Sequence, residues 1–511
     1  FQTASEFAGA LTAETVVARV GRRRWRRRAV VGAAAGVVLV AAAWGLLTVL
    51  GRPAYERLAV LPPANLMNDP EQAYFVQGVH NALILELQQA GVEVIARTSV
   101  MQYEDMQTPA REIASELGVD ALIEASVLRA ADSVEIQVSV VDGRTQQYVG
   151  DRITRRSDLR SVEGLYRGLT AAIAAEIQAT LTPQAEAHLA SARPVNPQAY
   201  EAWLQGGSYA GRLSARDQVT ALEYFELARE IDPDYALAYE GIAIVWVNRL
   251  VMGYAPHSEA APKARAAVAR ALELDSTHVE VQGTLAIIRT SIDWDWEGAE
   301  AAFQRAFELN PNFDGDAVYA HFLIMMRRQD EALRHAERAI ELDPFSPFAQ
   351  TLYGWVLYRV RRYDDAIAQF QNSLRRDPNY VAAVSGLSLV YYAKGMYDEW
   401  LAAAQSYFSM MGIPQAEEAL ALGYAEGDYR AAARRLGDTL AALRSVRYVS
   451  PMEIVQSYVM AGENSLALDW LERGFEERDP GMPYLSADPL LDPLRGDPRF
   501  QDLLRRMNLP Q

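Results

Sequence analysis

The 511-residue chain contains no cysteine. Disulfides, thiolate nucleophiles, iron–sulfur clusters and every cysteine-ligated zinc site are thereby excluded, while the redox compartment stays open, since a thiol-free chain suits any. Lysine is nearly absent: Lys263 and Lys394 are the only two, so basic charge is carried by arginine. Histidine is scarce too. His80, His188, His257, His278, His321 and His335 come no closer than 14 residues in sequence, so neither an HExxH nor a His-x3-His metal motif exists. There is no Gly-x-Ser-x-Gly elbow and no Walker phosphate loop. Neither lysine lies in a strand-like V-A-I-K setting, and HRD and DFG motifs are missing, so phosphoryl transfer has no residues to run on within this chain. Acidic pairs such as Glu476-Glu477 read as exposed helix faces. No catalytic residue, metal ligand or cofactor-binding residue is expected in it.

What is present is a globular composition, with 50% apolar, 23% charged and 9% aromatic residues, long enough for about three or four structural units. Net charge is −17 but uneven: residues 1–28 carry +5 and residues 29–50 none, leaving −22 on the rest. A body that acidic argues against nucleic acid, whose phosphates need neutralising.

Residues 22–28 read RRRWRRR, and Ala29–Leu50 is a 22-residue run without charge. As a helix it would span about 33 Å, enough for a hydrocarbon core of about 30 Å. Trp25 and Trp44 stand near its ends, where indoles favour the interface. A signal peptide would have a shorter apolar core and a small-residue cleavage site; a buried core helix would rarely be uncharged for so long. The run predicts one N-terminal transmembrane helix. Six arginines before it and one after place the N-terminal side in the cytoplasm, and residues 51–511 on the far side of a bacterial inner membrane, the periplasm. The arginines could also hold anionic lipid or nucleic acid, beside their role as a topology signal.

Between 55 and 182 the pattern is β-α-β-α-β-β-β-α, an α+β layer. RLAVLPP (57–63) reads as a strand, residues 70–90 as a helix stopped by Gly91, Val92–Ala96 as a strand, and Arg111–Gly118 as a helix. Three alternating segments follow, ALIEASVLRA, SVEIQVSVVD and QQYVGDRIT, with Asp142-Gly143 as a hairpin turn. A helix over 158–180 closes the set.

From 196 to 480 the chain repeats. Asp-Pro or Asn-Pro recurs at 232–233, 310–311, 343–344 and 377–378, with Asp275-Ser276 as a degenerate member, at spacings of 43, 35, 33 and 34. Residues at one set of offsets precede each: Ala221, Phe225, Ala228; Ala264, Val268, Ala271; Ala299, Phe303, Ala306; Ala332, Ala336, Ala339; and Ala366, Phe370, Ser373. Small residues let helices approach, the larger one fills the gap, and Pro stops the helix. A period near 34 predicts an all-α solenoid of helix–turn–helix units. The long 43-residue spacing suggests an extended loop near Gly253–Lys263. Weaker units follow at Tyr391–Trp400, Glu426–Leu436 and Gly462–Pro480, and residues 481–511 read as a proline-punctuated tail capping the exposed core.

Two family resemblances emerge from these stretches. The repeats resemble tetratricopeptide (TPR) repeats. RLAVLPPANLMNDPEQAYFVQGVHNALILELQQAGVEVIARTSV, REIASELGVDALIEASVLRAADSVEIQVSVVD and TPQAEAHLASARPVNPQAYEAWLQG resemble the TolB-like amino-terminal domain that precedes such repeats in bacterial signalling proteins; Pro63 and Ala64 depart from that family's usual exit loop. In the same context residues 1–21, opening FQTASEFAGAL, resemble the closing helix of a bacterial Ser/Thr protein kinase domain. That implies a kinase upstream, using ATP and Mg, while this chain holds neither site.

The TPR resemblance implies a groove lined by the first helix of each unit. Phe348, Thr351, Trp355 and Tyr358 lie at i, i+3, i+7 and i+10 on one helix face, and corresponding places are His321 and Ile324, and Leu389 and Tyr392. Such a groove suits an extended peptide or another protein's terminus; packing of these side chains against neighbouring helices is the alternative for each. The expected role is a non-catalytic sensor or scaffold, the extracytoplasmic part of a Ser/Thr kinase; a homodimer is compatible with this layout. The alternatives are the same region of a winged-helix regulator or nucleotide cyclase, or a free-standing envelope scaffold.

Overall fold

The computed structural model describes residues 55–67, 69–104, 108–191 and 193–511. The expected transmembrane helix (29–50), the basic segment (22–28) and the kinase-like segment (1–21) lie outside these. Among the described residues no helix is long and apolar enough to cross a membrane.

The chain from Tyr55 opens with six strands: β1 (Arg57–Val60), β2 (Ala64–Asn65), β3 (Glu93–Val94), β4 (Ala121–Ala130), β5 (Ser133–Asp142) and β6 (Tyr148–Asp158). They form one sheet in the order β3-β1-β4-β5-β6, with β2 beside β4. β1 runs parallel to β3 and β4, while β4, β5 and β6 are antiparallel neighbours. The expected first strand is shorter than its sequence suggested. Pro62 and Pro63 cannot donate to a ladder, so β1 ends at Val60 and β2 resumes on β4 at Ser126 and Val127. Asp142 makes the β5–β6 turn because its Oδ1 accepts from the N–H groups of Arg144 (2.9 Å) and Thr145 (2.7 Å). Helices Ala73–Gln89 and Val162–Glu176 cover one sheet face, burying Leu58, Ile123, Ile136 and Ile153 against Phe75, Leu83, Leu165 and Leu169.

Eight helix pairs follow. They are 197–210 with 215–231, 236–251 with 257–274, 279–288 with 296–309, 316–325 with 329–342, 347–359 with 363–376, 381–393 with 397–410, 414–426 with 429–443, and 451–461 with 464–477. Every small or aromatic residue of the five offset sets is buried. The close approach is literal at two aromatics. A Cβ on Gly206 or Gly241 would stand 2.7 and 2.6 Å from the Phe225 ring, and one on Gly354 or Gly386 would stand 2.7 and 2.3 Å from Phe370. Each ring is thus clamped between its own first helix and the next. The Asp and Asn residues recur for a second reason: Asp275, Asn310 and Asp377 each accept, through Oδ1, from the N–H two residues on, at 2.9 Å, closing the turn that Pro or Ser continues.

The expected long loop at 253–263 is corrected. Helix Ala236–Val251 is followed by only a short turn, and helix His257–Leu274 absorbs the extra residues, with Pro262 inside its first turns. Pro262 is the sixth residue of that helix, beyond the first turn, so its missing N–H leaves the Ser258 carbonyl without its ladder donor.

Tyr55–Gln511 is one compact unit, because the solenoid touches the sheet domain in two places. Leu204 of the first pair packs against Gly78, and Tyr200 and Tyr166 share a buried hydroxyl contact of 2.8 Å. The Asn-Pro and Asp-Pro turns of the third and fourth pairs meet the chain on either side of β3: Asn312 Nδ2 donates to Val92 O (3.0 Å) and Ala96 N to Leu342 O (2.8 Å). The eighth pair also returns to the third. Trp294 and Phe475 have ring centroids 5.7 Å apart, and Arg478 donates to Asp293 O at 3.2 Å.

Candidate functional site

Successive first helices pack on one another, 236–251 on 197–210 and on 279–288, and 347–359 on 316–325 and on 381–393. They therefore form an inner row through pairs one to three and again through pairs four to six. First helices of the fourth, fifth, sixth and eighth pairs are contacted by the chain's own segment 479–495, which runs over them as two short 3-10 turns, Met482–Tyr484 and Pro489–Leu494.

The contacts follow a pattern. His321 Nε2 faces Leu352 O at 3.0 Å and its Nδ1 faces the Tyr484 hydroxyl at 2.8 Å. A carbonyl only accepts, so Nε2 carries the proton and Tyr484 donates to Nδ1. Burial, helped by the Arg359 charge, pushes His321 down to about 3, keeping the ring neutral. Arg327 donates to Ser486 O (2.6 Å), and Ser486 Oγ donates back to Met325 O (2.8 Å). The Tyr358 hydroxyl donates to Asp488 Oδ1 (3.0 Å), and Arg361 pairs with Asp492 (2.6 Å). The Arg359 guanidinium lies 4.1 Å from the Tyr484 ring centroid. Met482, Leu485, Leu491 and Leu494 of the segment are fully buried in the solenoid core.

The residues expected to line the groove divide. His321 and Tyr358 face the inner row and are spent on residues 484 and 488. Thr351 is buried and donates to Ser373 Oγ of its own pair (2.9 Å). Trp355 stacks edge-on to Phe370 (5.5 Å) and Tyr358 (5.8 Å). Leu389 and Ile324 are buried in the core, and the Tyr392 hydroxyl reaches Met460 O at 3.4 Å. Phe348 alone of the set is largely exposed, at 45%. Sequence reading missed Arg327, Arg359 and Arg361 because it searched for aromatic faces. The signal available was the pairing of arginines at first-helix C-termini with the aspartates of LSADPLLDP.

The tail does more than cap. Helix Pro498–Arg506 packs on the last pair, while the chain before it lies along the inner row and Trp296 Nε1 holds Met507 O at 2.8 Å. Among the described residues no group of three His, Asp or Glu side chains is placed to hold a metal.

No family model matches the chain. A curated protein named "Putative adenylate cyclase 3", from Rhizobium meliloti (strain 1021), is 31% identical over 195 residues, covering 38% of this chain; the chain spans 33% of that relative's length. Among solved structures, YrrB, described as a TPR protein with an unusual peptide-binding site, is 21% identical with a TM-score of 0.25, over 36% of this chain and 91% of its own. A human IFIT1 dimer with m7Gppp-AAAA is 15% identical with a TM-score of 0.41, over 62% of this chain and 77% of its own.

Proposed function

We propose that the chain is a non-catalytic scaffold that binds polypeptide along the inner row of its TPR solenoid. The observation that carries this is the segment 479–495. The row holds an irregular stretch of polypeptide by hydrogen bonds to its main chain, from Arg327, as well as to its side chains, from Tyr358 and Arg361. That is how a surface grips extended chain. The same face of the first three pairs is the room left for a partner.

The test is photo-crosslinking in cells. p-Benzoylphenylalanine at Ile244, one helical turn from Glu240 on the inner row, captures polypeptide; the same group at Leu227 on an exposed second helix does not. Equal capture at both positions rejects the reading. Nucleotide hydrolysis by the purified chain would contradict it as well.

The parent protein is a membrane-anchored signalling enzyme on this reading, with residues 29–50 as the anchor, a TolB-like domain at 55–182 and residues 51–511 outside the cytoplasm. The kinase-like FQTASEFAGAL favours a Ser/Thr kinase. The cyclase name of the curated relative favours a nucleotide cyclase. Reading the coding frame back from Phe1 decides: a Gly-rich loop, strand lysine, HRD and DFG give the kinase, and their absence removes it.

A further inference from the structure

Several large apolar side chains left exposed gather at one place, where the turn inside the second pair meets the loop between the seventh and eighth. Val251, Met252 and Tyr254 belong to the turn, Val446 and Tyr448 to the loop, and they are 37–77% exposed. Val446, at 77%, is the most exposed large apolar residue among those described. The stretches touch: a Cβ on Gly253 would stand 3.4 Å from the Tyr448 ring, and the Tyr254 hydroxyl donates to Leu213 O of the first pair at 3.1 Å. Their neighbours fix both. Gly253 turns the chain at φ +71°, a region that favours glycine, and the N–H groups of Tyr254 and Ala255 then both reach Arg249 O, at 2.7 and 3.0 Å. In the loop, Val449 is buried and Ser450 caps the next helix, its Oγ accepting from Met452 N at 3.1 Å. Residues 446–448 are thus pinned between the end of one helix and the start of another.

The charge at this rim is unbalanced. Among the described residues Arg249 and Arg447 have no carboxylate within ion-pair distance, and Arg212 reaches Asp217 only at 3.9 Å. The acids of the neighbourhood are engaged elsewhere: Glu259 with Lys263 (3.0 Å), Glu477 with Arg444 (2.5 Å), Glu453 with the Tyr407 hydroxyl (2.5 Å) and Asp479 with Ser450 (2.6 Å). Elsewhere the same molecule shows what covers such a surface. Arg361 pairs with Asp492 while Leu491 and Leu494 beside it are buried. Arginine and apolar surface together there take up a polypeptide in which aspartates and leucines are interspersed.

We infer that the rim formed by residues 251–254 and 446–448 docks an acidic, apolar polypeptide segment of a partner protein. The segment's apolar side chains cover Met252, Val446 and Tyr448, and its carboxylates reach Arg212, Arg249 and Arg447. The rim is built from turns and not from the first-helix faces of the inner row, so this goes beyond the reading above and does not rest on it. Complementary charge sets the sign of the partner, and the chain's own segment 479–495 is the precedent that favours polypeptide over lipid.

The probe is a fluorescent tetradecapeptide with leucine at helical spacing and glutamate between, titrated into the full chain in phosphatidylcholine nanodiscs, with empty nanodiscs as the blank. Two control peptides carry lysine for glutamate, or alanine for leucine. The glutamate–leucine peptide binds, and both controls bind about tenfold or more weakly. Val446→Ser/Arg447→Gln weakens the glutamate–leucine peptide by about tenfold or more. Both side chains are exposed, so the fold does not depend on them, and an unchanged urea midpoint verifies that. Leu128→Ser/Arg152→Gln, the same kind of loss at exposed positions of the sheet domain, leaves binding within about twofold. No binding of the glutamate–leucine peptide, equal binding of either control, or equal weakening by both double variants overturns the inference. Anionic vesicles that bind through Val446 and Arg447 while the peptide does not would make the rim a lipid contact and overturn it too. Crosslinking at Ile244 reads the inner row separately, so failure here leaves the scaffold reading standing, and failure there leaves this one.

Discussion

Ser99 and Asp343, 244 residues apart in sequence, are joined by a hydrogen bond of 2.5 Å from Ser99 Oγ to Asp343 Oδ1. Ser99 Oγ in turn accepts from the Phe345 N–H at 2.9 Å. Asp343 belongs to one of the Asp-Pro dipeptides that punctuate the repeats. Elsewhere that side chain closes its own turn; here it is turned outward to dock the sheet domain. Replacing Ser99 by Ala leaves a carboxylate and an N–H without their shared partner, at a cost of about 1–3 kcal/mol. Urea denaturation measures it, and hydrogen exchange should show lost protection at residues 96–100 and 342–346 together. Loss confined to one side would mean the two domains do not depend on this contact.

The clamp around Phe370 is testable by overpacking. Gly386→Ala places a methyl where the Phe370 ring stands, and overpacking of this kind costs about 1–3 kcal/mol. Phe370→Leu in the same chain should recover part of that loss, because the smaller side chain makes room. An additive double variant would show that the ring and the glycine are not in contact.

Two contacts of the tail should differ in worth. Tyr358→Phe removes a buried hydroxyl from Asp488 and is expected to cost about 1–3 kcal/mol. Arg361→Ala breaks a pair whose side chains are 54% and 38% exposed, and such pairs contribute about 0–1 kcal/mol. Denaturation midpoints at fixed m-value give both numbers, and the reverse order would contradict the burial described.

Acid weakens this fold through His321. Its pKa is near 6.5 unfolded and about 3 folded, so below pH 6.5 the unfolded chain takes up a proton that the folded chain refuses. The contribution is complete above pH 6.5 and is lost as pH falls toward 3. At pH 5 the loss is about 2 kcal/mol. His80, pushed down by burial to about 4, acts in the same direction, while Glu240 acts against it. The difference in stability between the parent chain and His321→Gln, followed from pH 7 to pH 5, isolates the one residue. A difference that does not change with pH would show that His321 titrates normally.

The repeat region was legible because its signals are local. Ala366, Phe370 and Ser373 lie within about three and a half helical turns of the Pro that ends their unit, and burial at those offsets dictates residue type directly. β4 and β5 were legible because buried and less buried residues alternate over Ile123–Val127 and Ser133–Val138 within the two ten-residue strands. The inner face was only half legible. Phe348, Thr351, Trp355 and Tyr358 share a face, but at about 100° per residue they spread over roughly 80° of arc. That arc straddles the inner row and the seam with the second helix. Thr351 and Trp355 therefore turn to Ser373 and Phe370, while Tyr358 turns inward. What meets Tyr358 could not be read at all: Asp488 lies 130 residues away, in a segment without periodicity, and its partner is set by how far the helix pairs wind before the tail begins.

The return of the eighth pair to the third bears on how this molecule comes apart. A linear repeat array loses its terminal units first, since each contacts only its neighbours. Here Phe475 rests on Trp294, and Met507 is held by Trp296. The last units therefore cannot fray without opening a seam in the middle, and the middle cannot open without releasing segment 479–495 from beneath. Repeats three to eight are thereby closed on themselves, so damage at one turn of that set is expected to be felt as lost cooperativity throughout it.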